Sequence, residues 1–128
     1  MYGLDEALRR AEAFARAGAD VLFVEAPESE DEMQRICSAL SGPDISLMVN
    51  VVEGGKTPIK SAGDLAELGY SIAIFPGGAV RAISHHLQAY YDGLLANGSN
   101  AGFADRMHDF NGLNEIIETS ALLELGKT

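Results

Sequence analysis

The chain has 128 residues, with 9 Lys+Arg against 19 Asp+Glu and a net charge of −10. It is 47% apolar and 22% charged, with 14 glycines, 4 prolines and one cysteine, which excludes disordered, collagenous and disulfide-stapled classes. No apolar run approaches the roughly 18 residues of a membrane span and no signal-peptide pattern opens the chain, so a cytoplasmic location without a membrane partner is expected. Scattered Lys and Arg in so acidic a chain provide no basic stripe to displace phosphate counterions, and no nucleic-acid partner is expected either.

Leu4, Ala7, Leu8, Ala11, Phe14 and Ala15 recur at helical spacing, with Gly18 as the stop. Val21 to Val24 is a short continuous apolar run, the pattern of a strand buried on both faces in a parallel sheet. Ser29 and Glu32 have the spacing of a capping box ahead of a helix with Met33, Ile36, Cys37 and Leu40 on its apolar face. Cys37 therefore reads as core. With no second cysteine and no CxxC or HExxH, neither an internal disulfide nor a zinc site is expected.

A second strand covers Ile45 to Val49 and ends at Asn50, followed by the glycine-rich Glu53-Gly54-Gly55-Lys56-Thr57-Pro58. Ser61 and Asp64 repeat the capping-box spacing before a short helix that stops at Gly69. Ile72 to Phe75 reads as a third strand, cut off by Pro76-Gly77-Gly78. A long helix carries Val80, Ile83, Leu87, Tyr90, Tyr91, Leu94 and Leu95, then a loop spans Asn97 to Asn100, and Leu113 to Leu125 reads as a last helix.

Strand and helix alternate in the rhythm of a parallel sheet with right-handed crossovers. Three such strands leave two open edges and one uncovered face, whereas eight units close a barrel of roughly 250 residues. The fold class expected is α/β, the C-terminal portion of a TIM-type barrel over residues 1–98, with a helical extension over 99–128.

In such folds reactive groups sit at the carboxyl ends of strands and in the loops that follow. Those places hold Glu25, Asn50 with the loop to Pro58, and Pro76 to Arg81. Glu25 has the chemistry to hydrogen-bond a substrate hydroxyl or sit beside a metal, or is a solvated strand end. Asn50 offers a donor and an acceptor to a carboxylate or carbonyl, or only turns the chain. Gly54-Gly55 brings backbone N–H groups close to a ligand or makes a tight turn. Arg81 presents a planar fork to a carboxylate, or forms a surface ion pair. Gly55-Lys56-Thr57 imitates the end of a phosphate loop, but Asn50 stands where the first glycine belongs and Pro58 prevents a helix from following at once. His85 and His86 are adjacent on a helix, point to different faces and cannot share a metal. His108 is uninformative, and Tyr90-Tyr91 reads as helix packing.

Gly3-Leu4-Asp5-Glu6-Ala7, Ala17-Gly18-Ala19-Asp20 leading into Phe23-Val24-Glu25-Ala26, Asn50-Val51-Val52-Glu53-Gly54-Gly55-Lys56-Thr57-Pro58, Leu68-Gly69-Tyr70 and Phe75-Pro76 together resemble the isocitrate lyase/phosphoenolpyruvate mutase superfamily. The resemblance is nearest to its carboxyvinyl-carboxyphosphonate phosphorylmutase, dimethylmalate lyase, oxaloacetate-cleaving and methylisocitrate lyase branch. It implies a Mg²⁺-dependent enzyme acting on the C–C bond of a small α-oxy di- or tricarboxylate, or a phosphonomutase, assembled as a homo-oligomer (dimer or tetramer) with a swapped helix.

By the same resemblance Glu25 matches a catalytic acidic residue, and Asn50, Val51, Val52, Glu53, Gly54, Gly55 and Arg81 match substrate-binding positions. Arg106 matches a further arginine loosely. Val52 and Gly54 stand where isocitrate lyases proper carry hydroxyl side chains, which argues against isocitrate as substrate. The family's Mg²⁺-binding aspartates, its lid with the catalytic Cys or Lys, and an arginine of the fifth strand belong to a part preceding these motifs, so no metal ligand is expected in this chain. The alternative is a truncated, non-catalytic barrel fragment that persists through oligomerisation. A phosphate-binding βα module is disfavoured by the failed loop spacing.

Overall fold

The computed structural model describes residues 2–127. Its elements are α1 (Gly3–Arg16), β1 (Val21–Phe23), α2 (Glu30–Leu40), β2 (Ser46–Asn50), α3 (Ala62–Leu68), β3 (Ile72–Ile74), α4 (Gly78–Asn97), a 3-10 helix (Ala101–Arg106), α5 (Phe110–Ile116) and α6 (Thr119–Leu125). Two compact units result, one through Arg81 and one from Ala82 onward. No helix among the described residues is long and apolar enough to cross a membrane.

In the first unit, β1, β2 and β3 form a parallel sheet in that order. Phe23 pairs with Met48, Met48 with Ile72, and Asn50 with Ile74. Alternation sends Leu22, Leu47 and Val49 to one face, where they join Ala11, Met33, Ile36, Cys37, Leu40 and Leu65 in a single core. The apolar spacing read from the sequence is thus the contact surface of α1, α2 and α3, except for Phe14 of α1, which stays 62% exposed. The other face differs from a strand buried on both sides: Val21, Phe23 and Ile72 remain 42%, 40% and 37% exposed. The fold is α/β, three consecutive strand–helix units of a partial TIM-type barrel.

Caps set the helix starts. Ser61 and Asp64 form the full reciprocal box before α3. Ser29 accepts the Glu32 N–H before α2, but the Glu32 carboxylate takes the N–H of Glu28, so that box closes one residue early. Gly69 ends α3 in a left-handed conformation (φ +115°), where a Cβ would lie 3.2 Å from the Cys37 Cβ. Burial pushes the Cys37 thiol and the Tyr70 phenol above their usual ranges.

The second unit is organised around Phe103, its buried residue among those described. The His86 and Tyr90 rings meet Phe103 edge-on at 5.1 and 5.4 Å, and the Arg106 guanidinium lies 4.2 Å over it. The single helix expected over Leu113 to Leu125 is two. Glu118 takes a left-handed backbone (φ +52°) between α5 and α6, and the Thr119 hydroxyl donates to the Asn114 side chain at 2.8 Å across the break. Asp109 caps α5 by accepting the Gly112 N–H.

Candidate active site

Because all three strands are parallel, their carboxyl ends lie along one edge of the sheet. Glu25, Asn50, the Val51–Gly55 segment and the Pro76–Arg81 segment all follow those ends. The β1–β2 pairing ends at Phe23 and Met48, and Glu25 and Asn50 each lie two residues beyond that last pair in sequence. Glu25 is exposed and lines a cavity of about 340 Å³ whose walls include Tyr2, Arg10 and Pro27 but neither Asn50 nor Arg81. Directly after it, Ala26 has φ +54°. A left-handed non-glycine residue is strained by roughly 1–2 kcal/mol, and such strain clusters at functional sites. Nothing in the residue type of Ala26 signals it in the sequence.

Asn50 closes β2 opposite Ile74. Its side-chain Oδ1 is buried and has no hydrogen-bond partner. A buried acceptor without a donor is destabilising, by about 1–3 kcal/mol, so this oxygen is suited to a donor brought by a ligand. Val51 is buried, and its N–H extends the ladder to the Ile74 carbonyl at 2.9 Å. Val52 is half-buried, and its carbonyl receives the Gly55 N–H at 2.9 Å. That turn requires its glycines: Gly54 has φ +77°, and a Cβ on Gly55 would lie 3.0 Å from the Val52 carbonyl oxygen. The Gly55 N–H is thus committed to the turn. No helix follows it directly, as the loop spacing led one to expect.

Arg81 lies in the first turn of α4. Its Nη1 donates to the Glu53 backbone carbonyl and lies 3.4 Å from the Glu53 carboxylate. The Gly77-Gly78 turn packs against this pair. A Cβ on Gly77 would sit 3.4 Å from the Arg81 Nε, and one on Gly78 3.6 Å from the Glu53 Oε1. Two further ion pairs tie the glycine-rich loop to the segment after Glu25: Lys56 to Glu28 at 2.5 Å and Lys60 to Glu30 at 2.7 Å. Sequence reading missed both, since partners 28 and 30 residues apart share no local pattern. Arg106 lies in the second unit, over the Phe103 ring. Among the described residues no three His, Cys, Asp or Glu side chains converge as a metal cage. Carboxylates scattered over the segments after β1 and β2, with none between Phe75 and Arg81, do not enclose a magnesium ion, which takes about six oxygens.

The architecture is that of part of a β/α barrel, and comparison with known proteins gives the family. A family model described as phosphoenolpyruvate phosphomutase matches residues 1–95. The chain is 35% identical over 123 residues to 2,3-dimethylmalate lyase of Eubacterium barkeri, covering 96% of this chain and 42% of that protein. It is 33% identical to the petal death protein of Dianthus caryophyllus, covering 97% and 38%, and 35% identical to a probable 2-methylisocitrate lyase of Corynebacterium glutamicum, covering 90% and 37%. A crystal structure of 2,3-dimethylmalate lyase superposes with a TM-score of 0.86 at 27% identity, over 98% of this chain and 40% of that one. The chain belongs to the phosphoenolpyruvate mutase/isocitrate lyase superfamily. It spans about four-tenths of the length of these curated relatives.

Proposed function

We propose that this chain supplies one side of the active-site pocket of a carbon–carbon lyase or phosphonomutase-type enzyme acting on a small α-oxy di- or tricarboxylate. The observation that carries the reading is the buried, unpartnered Asn50 Oδ1 at the carboxyl end of the central strand. An α-hydroxyl is the donor that this acceptor lacks. Arg81 offers its guanidinium to the neighbouring carboxylate, and Glu25 is the base that accepts the α-hydroxyl proton, held by Asn50 Oδ1 in the resting complex, as the C–C bond breaks to leave a carbonyl and an enolate. Val52 and Gly54 bring no hydroxyl groups to a further carboxylate, which favours a substrate smaller or less polar than isocitrate.

Magnesium is implied by the resemblance, and phosphonopyruvate hydrolase, a fold neighbour, was crystallised with oxalate and Mg²⁺. The described residues do not themselves enclose the ion, so what this chain contributes is the hydrogen bonding and charge of Asn50, Arg81 and Glu25. The purified chain is to be assayed with 2,3-dimethylmalate, 2-methylisocitrate and oxaloacetate, with and without Mg²⁺. Metal-dependent cleavage lost in Asn50→Ala supports the reading, and cleavage indifferent to Asn50, Arg81 and Glu25 contradicts it.

A second reading, a non-catalytic fragment held in a homo-oligomer, is favoured by the apolar side chains on the open sheet face. It predicts a stable oligomer in sedimentation together with no cleavage of any of the three acids.

A further inference from the structure

Lys56, Lys60 and Arg81, which follow the carboxyl ends of β2 and β3, each have a glutamate partner. The partner of Lys56, Glu28, belongs to the loop after β1 and that of Lys60, Glu30, opens α2, so these pairs tie the segment after β2 to the one after β1. Arg81 differs. Its partner, Glu53, lies in the same turn that follows Asn50, and both side chains of the pair are about half exposed (55% and 49%). The Arg81 Nη1 makes two contacts of unlike quality: a short one to the Glu53 carbonyl and a loose one, 3.4 Å, to the Glu53 carboxylate. The carbonyl contact fixes where the guanidinium lies. The carboxylate contact adds an anion exchangeable with solvent.

We propose that Glu53 is a resident carboxylate that holds Arg81 until a ligand carboxylate replaces it, so that Glu53 sets how strongly the site takes an anionic ligand. This rests on the reading of Arg81 as a carboxylate-binding group. The exposure of both side chains leaves the exchange sterically open. The guanidinium lies against the Gly77 backbone, and both side chains of the pair are open to solvent, so an anion from solution reaches Arg81. The arginine keeps its place during the exchange because the Glu53 carbonyl does not leave. A ligand gains Arg81 and loses the Arg81–Glu53 attraction, so removing the Glu53 charge strengthens binding. Half-exposed ion pairs of this kind alter an equilibrium by about two- to five-fold. Competition of this kind also weakens as salt screens the pair.

The test uses the full chain with arginine ¹⁵N label, titrated with oxalate as a rigid small dicarboxylate while the Arg81 Nε–H signal is followed. Glu53→Gln keeps the backbone carbonyl and removes only the charge, and the expected result is about two- to five-fold tighter binding. Glu67→Gln makes the same change in net charge on α3 and is expected to leave the affinity near that of the parent. In an Arg81→Met background the Glu53→Gln effect, read from the Asn50 side-chain amide, is expected to vanish. If the parent and Glu53→Gln bind oxalate equally, or Glu67→Gln tightens binding as much, Glu53 is no competitor and the proposal falls while the carboxylate reading stands. An Arg81 signal indifferent to oxalate in every variant overturns both.

Discussion

Leu22, Leu47 and Val49 leave one face of the sheet and disappear beneath α1, α2 and α3, whereas Val21, Phe23 and Ile72, at alternate positions, keep 37% to 42% of their surface on the other. The strands run through both environments one residue at a time. The first face is closed by helices whose apolar spacing matches it, and the second, which carries Ser46 and Asn50 beside Met48, Ile72 and Ile74, is closed to a lesser degree. Stability therefore resides on the helix side, while the second face contributes apolar surface available to further contacts.

The sharpest way to break this comparison is to truncate matched residues on the two sides. Ile36→Ala, in the closed core, is expected to cost about 2–5 kcal/mol by urea denaturation. Phe23→Ala on the open face is expected to cost less than about half as much, because much of its ring is already in water. Equal costs would mean that the two faces are equally closed in solution. Gly69→Ala comes next, at about 1–2 kcal/mol, since the left-handed turn behind α3 sets a new Cβ 3.2 Å from the Cys37 Cβ. A change in the Cys37 reaction rate with a thiol reagent would accompany it, because this thiol is buried in the parent. Ser29→Ala removes an N-cap from α2 and is expected to cost about 1 kcal/mol, read as a lowered denaturation midpoint with unchanged slope.

The smallest effect belongs to the exposed surface of α1. The hydrogen bonds of Arg9 and then Arg10 push the Glu6 carboxyl down to about 2 from a usual 4.5. Its contribution is complete above pH 4.5 and fades as pH falls toward about 2. A carboxyl ¹³C titration of Glu6 with a midpoint near 4.5 would show that the pair does not persist in solution.

What was legible in the sequence divides along the same physical line. The element order through α4 follows from periodicity, and the Ser61–Asp64 box, the Gly69 stop and the core assignment of Cys37 follow from local chemistry. The break at Glu118 does not, because a glutamate in a left-handed turn has no sequence signature and the local Thr119–Asn114 side-chain bond that spans it follows no recognised capping spacing. The strand-end positions of Glu25, Asn50 and Arg81 were readable from the strand–helix rhythm. The pairing of Arg81 with Glu53 and the unpartnered Asn50 Oδ1 were not, since both depend on which atoms neighbouring loops bring within reach.

The carboxylate site is put at risk most directly by a backbone and side-chain amide ¹H–¹⁵N titration of the chain with oxalate. Shifts should gather on the Asn50 side-chain amide, Gly54 and Gly55, at the carboxyl ends of the strands, while Asp20, Ile45 and Ser71 at the amino ends stay still. Saturating shifts at the amino ends, or none at Asn50, would contradict the assignment.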